Sequence, residues 1–437
     1  MFEVVGIEIF PVRRQDLGWS VGLESRSMVG VALRRTMQDH RFVRLASART
    51  ISVLGNGFSR VALAFGVLSL PDATPARLSI VLACQAIPQL VFVLVGGVVA
   101  DRVSRYRLMV GAELLAGFAW LAITAMIFTG YAPLPLLGLA AVVAGVGTAL
   151  FLPALNGVLP EFVGGERLQS ANAVLRIGQN SAMLLGLSLS GLVVAAAGAG
   201  WALAINAASF FISAALIWGM KLPARARAPR TSTLAELRHG WAEFVSRQWL
   251  WVVVAQFAIV LAAVNATVGV LGPLDMTSSG GGAATWGLLV AAQSLGAIAG
   301  AGLATRIQAR RPILVAVVST FTFALPMLAL GVGAPVWLSV AAMFASGIGS
   351  DIFGVLWTTT MQREIPEEAM SRVSAYDIFG SLAFAPLGLL VAGPIAAVIG
   401  PRTALLGCAG LVIAATLAAL LSPVVRKLTA PILVSGA

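Results

Sequence analysis

Charged residues are scarce in this chain of 437 residues. Asp, Glu, Lys and Arg together make up 11% of the sequence, whereas hydrophobic residues make up 59%. A typical soluble domain carries about 25% charged residues. With a mean hydropathy of +0.93, this composition excludes a soluble protein and predicts a polytopic membrane protein.

Metal-binding and catalytic side chains are also scarce. Cys84 and Cys408 lie far apart within apolar runs, and His40 and His239 lie in predicted cytoplasmic segments. This distribution excludes a disulfide framework and disfavours a metal site. The sequence has no Walker-type Gly-Lys-Ser loop and no pair of carboxylates on one helix face. We therefore predict no catalytic residues, no bound cofactor or metal, and no enzyme or self-contained ATP-driven pump.

What the chain does contain is a series of apolar runs long enough to cross a bilayer. They predict an all-α protein with twelve transmembrane helices, over 43–69, 78–99, 108–128, 133–157, 171–197, 200–219, 249–272, 285–304, 312–332, 335–358, 373–398 and 402–422. Basic residues concentrate in alternate connections, which places both termini in the cytoplasm and the protein in the plasma membrane. The net charge of +11 follows from this bias, so we expect a lipid bilayer and no nucleic acid as partner.

A basic stretch with a following amphipathic segment divides the chain. Arginines and prolines fill its first part, and Leu237, Trp241 and Phe244 have helical apolar spacing in its second part, as in a helix at the membrane surface. The predicted division is a cytoplasmic extension at 1–42, a six-helix bundle at 43–220, a linker at 221–248, a second six-helix bundle at 249–425 and a cytoplasmic tail at 426–437.

A short polar turn joins the second and third predicted helices. Gly97 allows close helix packing, and Asp101 is followed by Arg102 and Arg105. Asp101 is predicted to act as a breakable latch, because it can pair with an arginine or with a helix N-terminus. Although any cytoplasmic loop carries arginines, Gly-x-x-x-Asp-Arg-x-x-Arg at a turn between helices is more specific. It resembles the signature of the major facilitator superfamily of secondary transporters.

The two halves also resemble each other. Gly97–Arg102 has a shortened counterpart in Gly302–Arg306, without the aspartate, and Leu159-Pro160-Glu161 has one in Ile365-Pro366-Glu367. Both pairs lie about 205 positions apart, which indicates a parallel repeat of two bundles around a central site.

A narrower resemblance rests on the segments at 152–173 and 353–377. They are similar to the loops after the fourth and tenth helices of enterobactin-exporter-like and macrolide-efflux-like facilitators. The resemblance implies alternating access and export of a small amphipathic molecule, such as a drug, siderophore or secondary metabolite, by a monomer in exchange for protons. Two departures leave the coupling ion open: Ala141 stands where drug/proton antiporters carry arginine, and Asn206 stands where relatives often carry aspartate.

Charged residues inside membrane helices are costly and therefore point to function. Asn56 and Arg60 lie one turn apart on the first helix. We predict that they line a substrate or proton path, and that Arg60 attracts an anionic group of a bulky ligand. The alternative is that Arg60 reaches the outer membrane surface.

Four further charges lie near the predicted cytoplasmic helix ends: Glu113, Arg176, Asp351 and Asp377. With Arg102 and Arg105 they are predicted to form a charge network that closes the inner gate. Alternatively, Asp377 only stabilises a helix N-terminus and Arg176 only extends the basic loop. Glu113 and Asp351 are the candidates for proton coupling, because burial penalises the charged form of a carboxyl group.

Two other functions remain open from the residues alone. An uptake permease of the same fold would differ in the direction of coupled transport, and a membrane sensor of the same fold would not transport at all. No appended signalling domain is evident in the sequence, which favours the transporter.

Overall fold

A computed structural model describes residues 7–8, 37–102, 104–163, 165–220, 241–304 and 306–429. Within these residues twelve helices are long and apolar enough to cross a membrane. The predicted fold class is confirmed. The described β-structure is limited to two antiparallel two-residue strands, β1 (Ile7–Glu8) and β2 (Gln308–Ala309).

The first six membrane helices follow one another with short connections. They are α1 (His40–Leu68), α2 (Pro75–Arg102), α3 (Arg105–Thr129), α4 (Leu134–Phe162), α5 (Gly165–Ala197) and α6 (Ala199–Trp218).

The next six are less regular. They are α7 (Gln248–Ser278, with a π-helical turn at Thr267–Leu271), α8 (Gly282–Ala304), α9 (Pro312–Gly331, with a 3₁₀ turn at Thr320–Phe323), α10 (Val336–Glu364), α11 (Glu367–Leu382 and Ala385–Ile399) and α12 (Pro401–Leu421). A short helix, α13 (Pro423–Lys427), follows, and residues 241–246 before α7 are also helical.

Several helices extend beyond their apolar runs. α1 begins at His40 because the Asp39 carboxylate accepts hydrogen bonds from the N–H groups of Arg41 (3.0 Å) and Phe42 (3.4 Å). α5 and α11 each begin six residues before the predicted start, and α10 ends six residues after its predicted end. The added turns are rich in charged and polar residues, which hydropathy leaves out although they are compatible with a helix.

The described chain divides into two compact units. Bundle one contains residues 37–73 and the described residues between 80 and 220, and bundle two contains residues 241–429 together with 7–8 and 74–79. The first residues of α2 therefore group with bundle two, where the Ser79 hydroxyl accepts a hydrogen bond from the Gly393 N–H at 2.7 Å. Each bundle has its own apolar core.

The two bundles repeat one packing pattern. In bundle one, α1 packs against α5 and α6, and α3 packs against α4 and α6. In bundle two, α7 packs against α11 and α12, and α9 packs against α10 and α12. The pattern is the same after a shift of six helices.

Turn glycines recur at matching places. Gly130 after α3 and Gly333 after α9 both have φ of +68°, and Gly198 before α6 and Gly400 before α12 have φ of +91° and +83°. These left-handed conformations favour glycine, which lacks a Cβ. Each matching pair is separated by 202 or 203 positions.

Close helix contacts also recur, and they show which residues of α4 and α10 occupy equivalent positions in the two bundles. A Cβ on Gly145 of α4 would lie 2.2 Å from the carbonyl oxygen of Gln85 on α2. A Cβ on Gly347 of α10, 202 positions later, would lie 2.0 Å from the carbonyl oxygen of Gln293 on α8. Small residues permit this approach of two backbones in a membrane protein.

A second pair of matching contacts shows which residues of α1 and α7 occupy equivalent positions in the two bundles. Gly186 of α5 approaches the carbonyl oxygen of Leu54 on α1, and Gly388 of α11 approaches that of Ala262 on α7. Leu54 and Ala262 are 208 positions apart.

A third pair of matching contacts shows which residues of α3 and α9 occupy equivalent positions in the two bundles. Gly147 faces the carbonyl oxygen of Ala112, and Gly349 faces that of Ser319, which lies 207 positions after Ala112. Residues of the two bundles can therefore be compared position by position.

Candidate coupling and transport site

Glu113 lies in the interior of bundle one, on α3. Its side chain is buried, with 2% of the residue exposed. The Ser52 hydroxyl of α1 donates a hydrogen bond to Glu113 Oε2 at 3.3 Å, and Ser213 of α6 lies beside the carboxylate. The charge that faces Glu113 is the guanidinium of Arg49 on α1. Glu113 is buried and Arg49 is half-buried, and their opposite charges face each other within bundle one.

Arg49 also contacts two other helices. Its Nε donates a hydrogen bond to Gln179 Oε1 of α5 at 3.4 Å, and its Cζ lies 5.0 Å from the centre of the Phe151 ring of α4. The second distance is that of a cation–π contact. Arg49 thus links α1 to α3, α4 and α5.

Arg49 was not predicted as a site residue, although its helical spacing from Asn56 and Arg60 indicates a shared face. Arg49 precedes Asn56 by two helical turns and Arg60 by about three, so all three residues share one face of α1. Only Asn56 and Arg60 were identified, because Arg49 lies close to the basic end of the helix, where arginines are expected for topology alone.

A small cavity lies beside the pair. Its lining comes from four helices: Arg49, Ser52, Asn56, Ala112, Glu113, Gly147, Thr148, Phe151 and Phe210. Its volume of about 10 Å³ is close to the space that one water molecule needs. Pockets for small organic ligands measure about 300–1,000 Å³. The cavity therefore suits a proton carrier such as water and is too small for an organic substrate.

Asn56 and Arg60 extend the polar face of α1 beyond this cavity. Asn56 is half-buried and lines the cavity, whereas Arg60 is exposed one turn further along the helix. In the described part of the chain, Arg60 has no hydrogen-bond or ion-pair partner.

Four charged residues lie further from their helix ends than the predicted helix boundaries place them. Because α3, α5 and α11 begin earlier and α10 ends later than predicted, Glu113, Arg176 and Asp377 lie two or more turns inside their helices and Asp351 lies near the middle of α10. Within bundle one, Glu113 faces Arg49 rather than Arg176, which is exposed on α5.

The two aspartates of bundle two have different surroundings. Asp377 accepts hydrogen bonds from Trp357 Nε1 at 3.2 Å and from the Ser381 hydroxyl at 3.5 Å. Asp351 is half-buried and has no ion-pair partner in the residues that the structure describes. Neither position shows a cationic partner comparable to Arg49.

The predicted gating turn falls at the junction of α2 and α3. Gly97, Asp101 and Arg102 lie in the last turns of α2, and Arg105 is the first residue of α3. The side chains of Gly97, Asp101 and Arg102 lie outside the described part of the structure, so the predicted latch stays a prediction. Arg105 is half-buried.

Bundle two has neutral groups where bundle one has charges. Thr320 lies 207 positions after Glu113, the same offset that relates α3 to α9. Its hydroxyl accepts a hydrogen bond from Gln256 Nε2 (3.0 Å) and lies 3.0 Å from the Thr416 hydroxyl. These three buried side chains form a polar network without any ionic group.

The position that corresponds to Arg49 is occupied by an aromatic ring. Phe257 lies 208 positions after Arg49, and Phe353 lies 202 positions after Phe151. The rings of Phe257 and Phe353 stack with their centres 4.2 Å apart and an interplanar angle of 17°. An aromatic stack therefore replaces the cation–π contact of bundle one.

Sequence comparisons agree with this architecture. Residues 45–386 match the sequence model of the Major Facilitator Superfamily. The multidrug efflux pump Tap of Mycolicibacterium fortuitum is 29% identical over 358 residues, which cover 78% of this chain and 86% of Tap. The enterobactin exporter EntS of Citrobacter koseri is 28% identical over 412 residues, which cover 92% of this chain and 96% of EntS.

Solved structures share the fold. The nucleoside transporter NupG superposes with a TM-score of 0.70 at 14% identity, over 89% of this chain and all of NupG. A bacterial homologue of the iron transporter ferroportin superposes with a TM-score of 0.68 at 15% identity, over 87% of this chain and 98% of the homologue. The resemblance inferred from the motifs is confirmed: the chain belongs to the Major Facilitator Superfamily and is a multi-pass membrane transporter, not an enzyme.

Proposed function

We propose that this transporter exports a small amphipathic molecule across the plasma membrane in exchange for protons, with both termini in the cytoplasm. The observation that carries the proposal is the buried Glu113 carboxylate, which faces the half-buried Arg49 beside a cavity for about one water molecule. The names of two relatives, an enterobactin exporter and a multidrug efflux pump, support export as the direction. The proton gradient is the proposed energy source.

Glu113 is the proposed proton acceptor. A buried carboxylate beside a cation changes the charge of the bundle interior when it binds a proton, because the pair is replaced by an uncompensated guanidinium. The Ser52 hydroxyl, which donates to Glu113 at 3.3 Å, holds the carboxylate in place. Asp351 is a weaker candidate, because a half-buried carboxylate without a facing cation produces no comparable rearrangement.

The polar face of α1 is the proposed substrate route. An exposed arginine on a membrane helix is costly in contact with lipid, so Arg60 is expected to face a water-filled path. Asn56 and Arg60 offer hydrogen-bond donors there. The apolar part of an amphipathic substrate would pack against the neighbouring aliphatic surface of the helices.

The protonation state of Glu113 determines which substrate charge is compatible with proton exchange. Protonation of Glu113 leaves Arg49 without a counter-charge, so a nearby anionic substrate would bind the protonated state more tightly. By reciprocal linkage, proton and anion would then bind together and move in the same direction. Exchange excludes this sign of coupling. We therefore propose a substrate without an anionic group near Arg49, in contrast to the anionic group suggested by Arg60 alone.

The gate remains part of the proposal. Gly97, Asp101, Arg102 and Arg105 are proposed to form a latch at the cytoplasmic turn between α2 and α3. Asp377 of α11, whose carboxylate accepts a hydrogen bond from Trp357, is proposed to gate bundle two.

The proposal is tested with purified protein in oriented proteoliposomes that contain a pH-sensitive dye. A panel of dyes, macrolides and siderophores is added to the side that corresponds to the cytoplasm. We expect a neutral amphipathic compound to move protons in the opposite direction. Glu113→Gln should abolish the proton movement, whereas Glu364→Gln, which removes a carboxylate at the end of α10, should leave it unchanged.

Other outcomes would reject separate parts of the proposal. Proton movement in the same direction as the substrate would indicate an uptake permease. Substrate movement without protons would reject the exchange, and loss of coupling in Asp351→Asn but not in Glu113→Gln would place it in bundle two. A failure to move any compound in the panel would favour a non-transporting sensor.

A further inference from the structure

We propose that Arg49 is a positioning residue that transmits the protonation state of Glu113 on α3 to α4 and α5. This inference rests on the proposed proton exchange and adds a residue and a direction of transmission to it. Arg49 itself need not contact the substrate.

The contacts of Arg49 supply the route. With Glu113 ionised, the guanidinium faces an opposite charge on α3 beside the cavity that both residues line. It also has two weak direct contacts, the Gln179 oxygen at 3.4 Å on α5 and the Phe151 ring on α4. Protonation of Glu113 removes the electrostatic attraction and leaves the two weaker contacts in place. The balance of forces on Arg49 then shifts from α3 towards α4 and α5.

No other charge can substitute for this partner within the cavity. Arg49 and Glu113 are the two charged residues among the nine that line it. The remaining polar groups that face the pair are neutral, namely Ser52, Asn56 and Thr148. The charge of the cavity therefore changes with one proton on one carboxyl group.

Comparison of the two bundles indicates that Glu113 and Arg49 are needed for function and not for folding. Bundle two has the same helix contacts, but it fills the corresponding space with the Phe257–Phe353 stack and the network around Thr320. Replacing a buried ion pair with neutral groups of similar size is often neutral or stabilising. The fold thus accommodates a neutral interior, and the charges of bundle one require a different explanation.

The test measures the cavity directly, without a substrate. Thr148, which lines the cavity on α4, is replaced by cysteine in a background with Cys84→Ala and Cys408→Ala. The rate of its reaction with a small thiol reagent is measured from acidic to alkaline pH. The rate of Thr359→Cys, at an exposed position of α10, corrects for the pH dependence of the reagent and thiol.

We expect the corrected rate to change by about fivefold or more between the two pH limits, the lower end of typical coupling between linked sites. Glu113→Gln should remove this change. Arg49→Lys should also remove most of it, because lysine keeps the charge opposite Glu113 but lacks the planar group that stacks on Phe151. A full pH response in Arg49→Lys would overturn the inference.

A transport measurement separates this inference from the proposed function. The double variant Arg49→Phe with Glu113→Thr copies bundle two, so we expect it to keep the melting temperature of the parent protein and to lose proton movement. Proton movement in this variant at the parental rate would overturn both the role of Arg49 and Glu113 as the proton acceptor, while proton exchange itself would stand. A pH response of the cavity that depends on Arg49, in a protein that moves no protons with its substrate, would reject the exchange and support the transmission.

Discussion

Bundle one buries the Glu113 carboxylate where bundle two buries the Thr320 hydroxyl. At a second pair of equivalent positions, bundle one has Arg49 and bundle two has Phe257. The surrounding helix contacts match, down to glycines that approach carbonyl oxygens at corresponding positions. The comparison teaches that one backbone arrangement supports two kinds of interior. The backbone contacts belong to the fold, and at these matched positions the charges occur in bundle one.

The difference has an energetic meaning. Removing two charges from water is costly, and their attraction repays that cost only with good geometry and further hydrogen bonds. The network in bundle two avoids the cost of burying charges, since Gln256 Nε2 and the hydroxyls of Thr320 and Thr416 bond to one another and carry no charge. We interpret bundle one as the part of the molecule that responds to pH, and bundle two as the less responsive part.

The largest effect on stability is expected where one charge loses its partner. Arg49→Leu leaves the Glu113 carboxylate buried without a cation, which should lower the free energy of unfolding by up to about 3–5 kcal/mol at alkaline pH, where the carboxyl group is ionised. The loss should shrink at acidic pH, because a proton neutralises the carboxyl group. Thermal unfolding of the purified protein in detergent at several pH values measures both effects.

The matched change in bundle two is Gln256→Leu. Thr320 and Thr416 still bond to each other in this variant, so we expect a loss of about 1 kcal/mol, typical of one hydrogen bond between membrane helices. This loss should not vary with pH. Equal losses in Arg49→Leu and Gln256→Leu would contradict the distinction between the two interiors.

An intermediate effect is expected from the contacts that both bundles share. Gly145→Ala and Gly347→Ala each place a Cβ within 2.2 Å of a carbonyl oxygen of the neighbouring helix. Each should lower the free energy of unfolding by about 1–3 kcal/mol, as overpacking does in well-packed interiors. The melting temperature measures the loss, and Gly302→Ala, with no atom within 4 Å of its Cβ, serves as the control. A loss confined to one bundle would show that the contacts are not equivalent.

The smallest effect on stability is expected at the gating turn. Asp101 has no counterpart in the Gly302–Arg306 segment, so Asp101→Asn makes the first half resemble the second. We expect transport to fall strongly while the free energy of unfolding changes by about 0.5 kcal/mol or less, because Asn has the same size and shape as Asp. Substrate flux and melting temperature are measured on the same preparation. Unchanged flux would reject the latch.

Much of the fold was predictable from the sequence, because length and hydropathy are local properties. Each apolar run of about 20 residues has to cross the bilayer as a helix, since lipid offers no partner for backbone polar groups. Helix ends were less predictable. The turns before Val174 and after Trp357 contain charged residues, and hydropathy alone places the helix boundary too early or too late there.

The site was predictable only in part. Glu113, Asn56 and Arg60 were found because polar residues stand out in an apolar helix. Arg49 was missed. A pairing of charges from two helices depends on how α1 and α3 pack, which no single segment encodes.

The sequence by itself determined the membrane environment, the number of crossings, the family and the internal repeat. These follow from composition, from the length of apolar runs and from motifs within single segments. Tertiary structure alone decided that Glu113 faces Arg49, that Arg49 also reaches α4 and α5, and that Thr320 and Phe257 fill the same places in bundle two. Such pairings depend on the register between packed helices, which is set by close backbone contacts at glycines far apart in the chain.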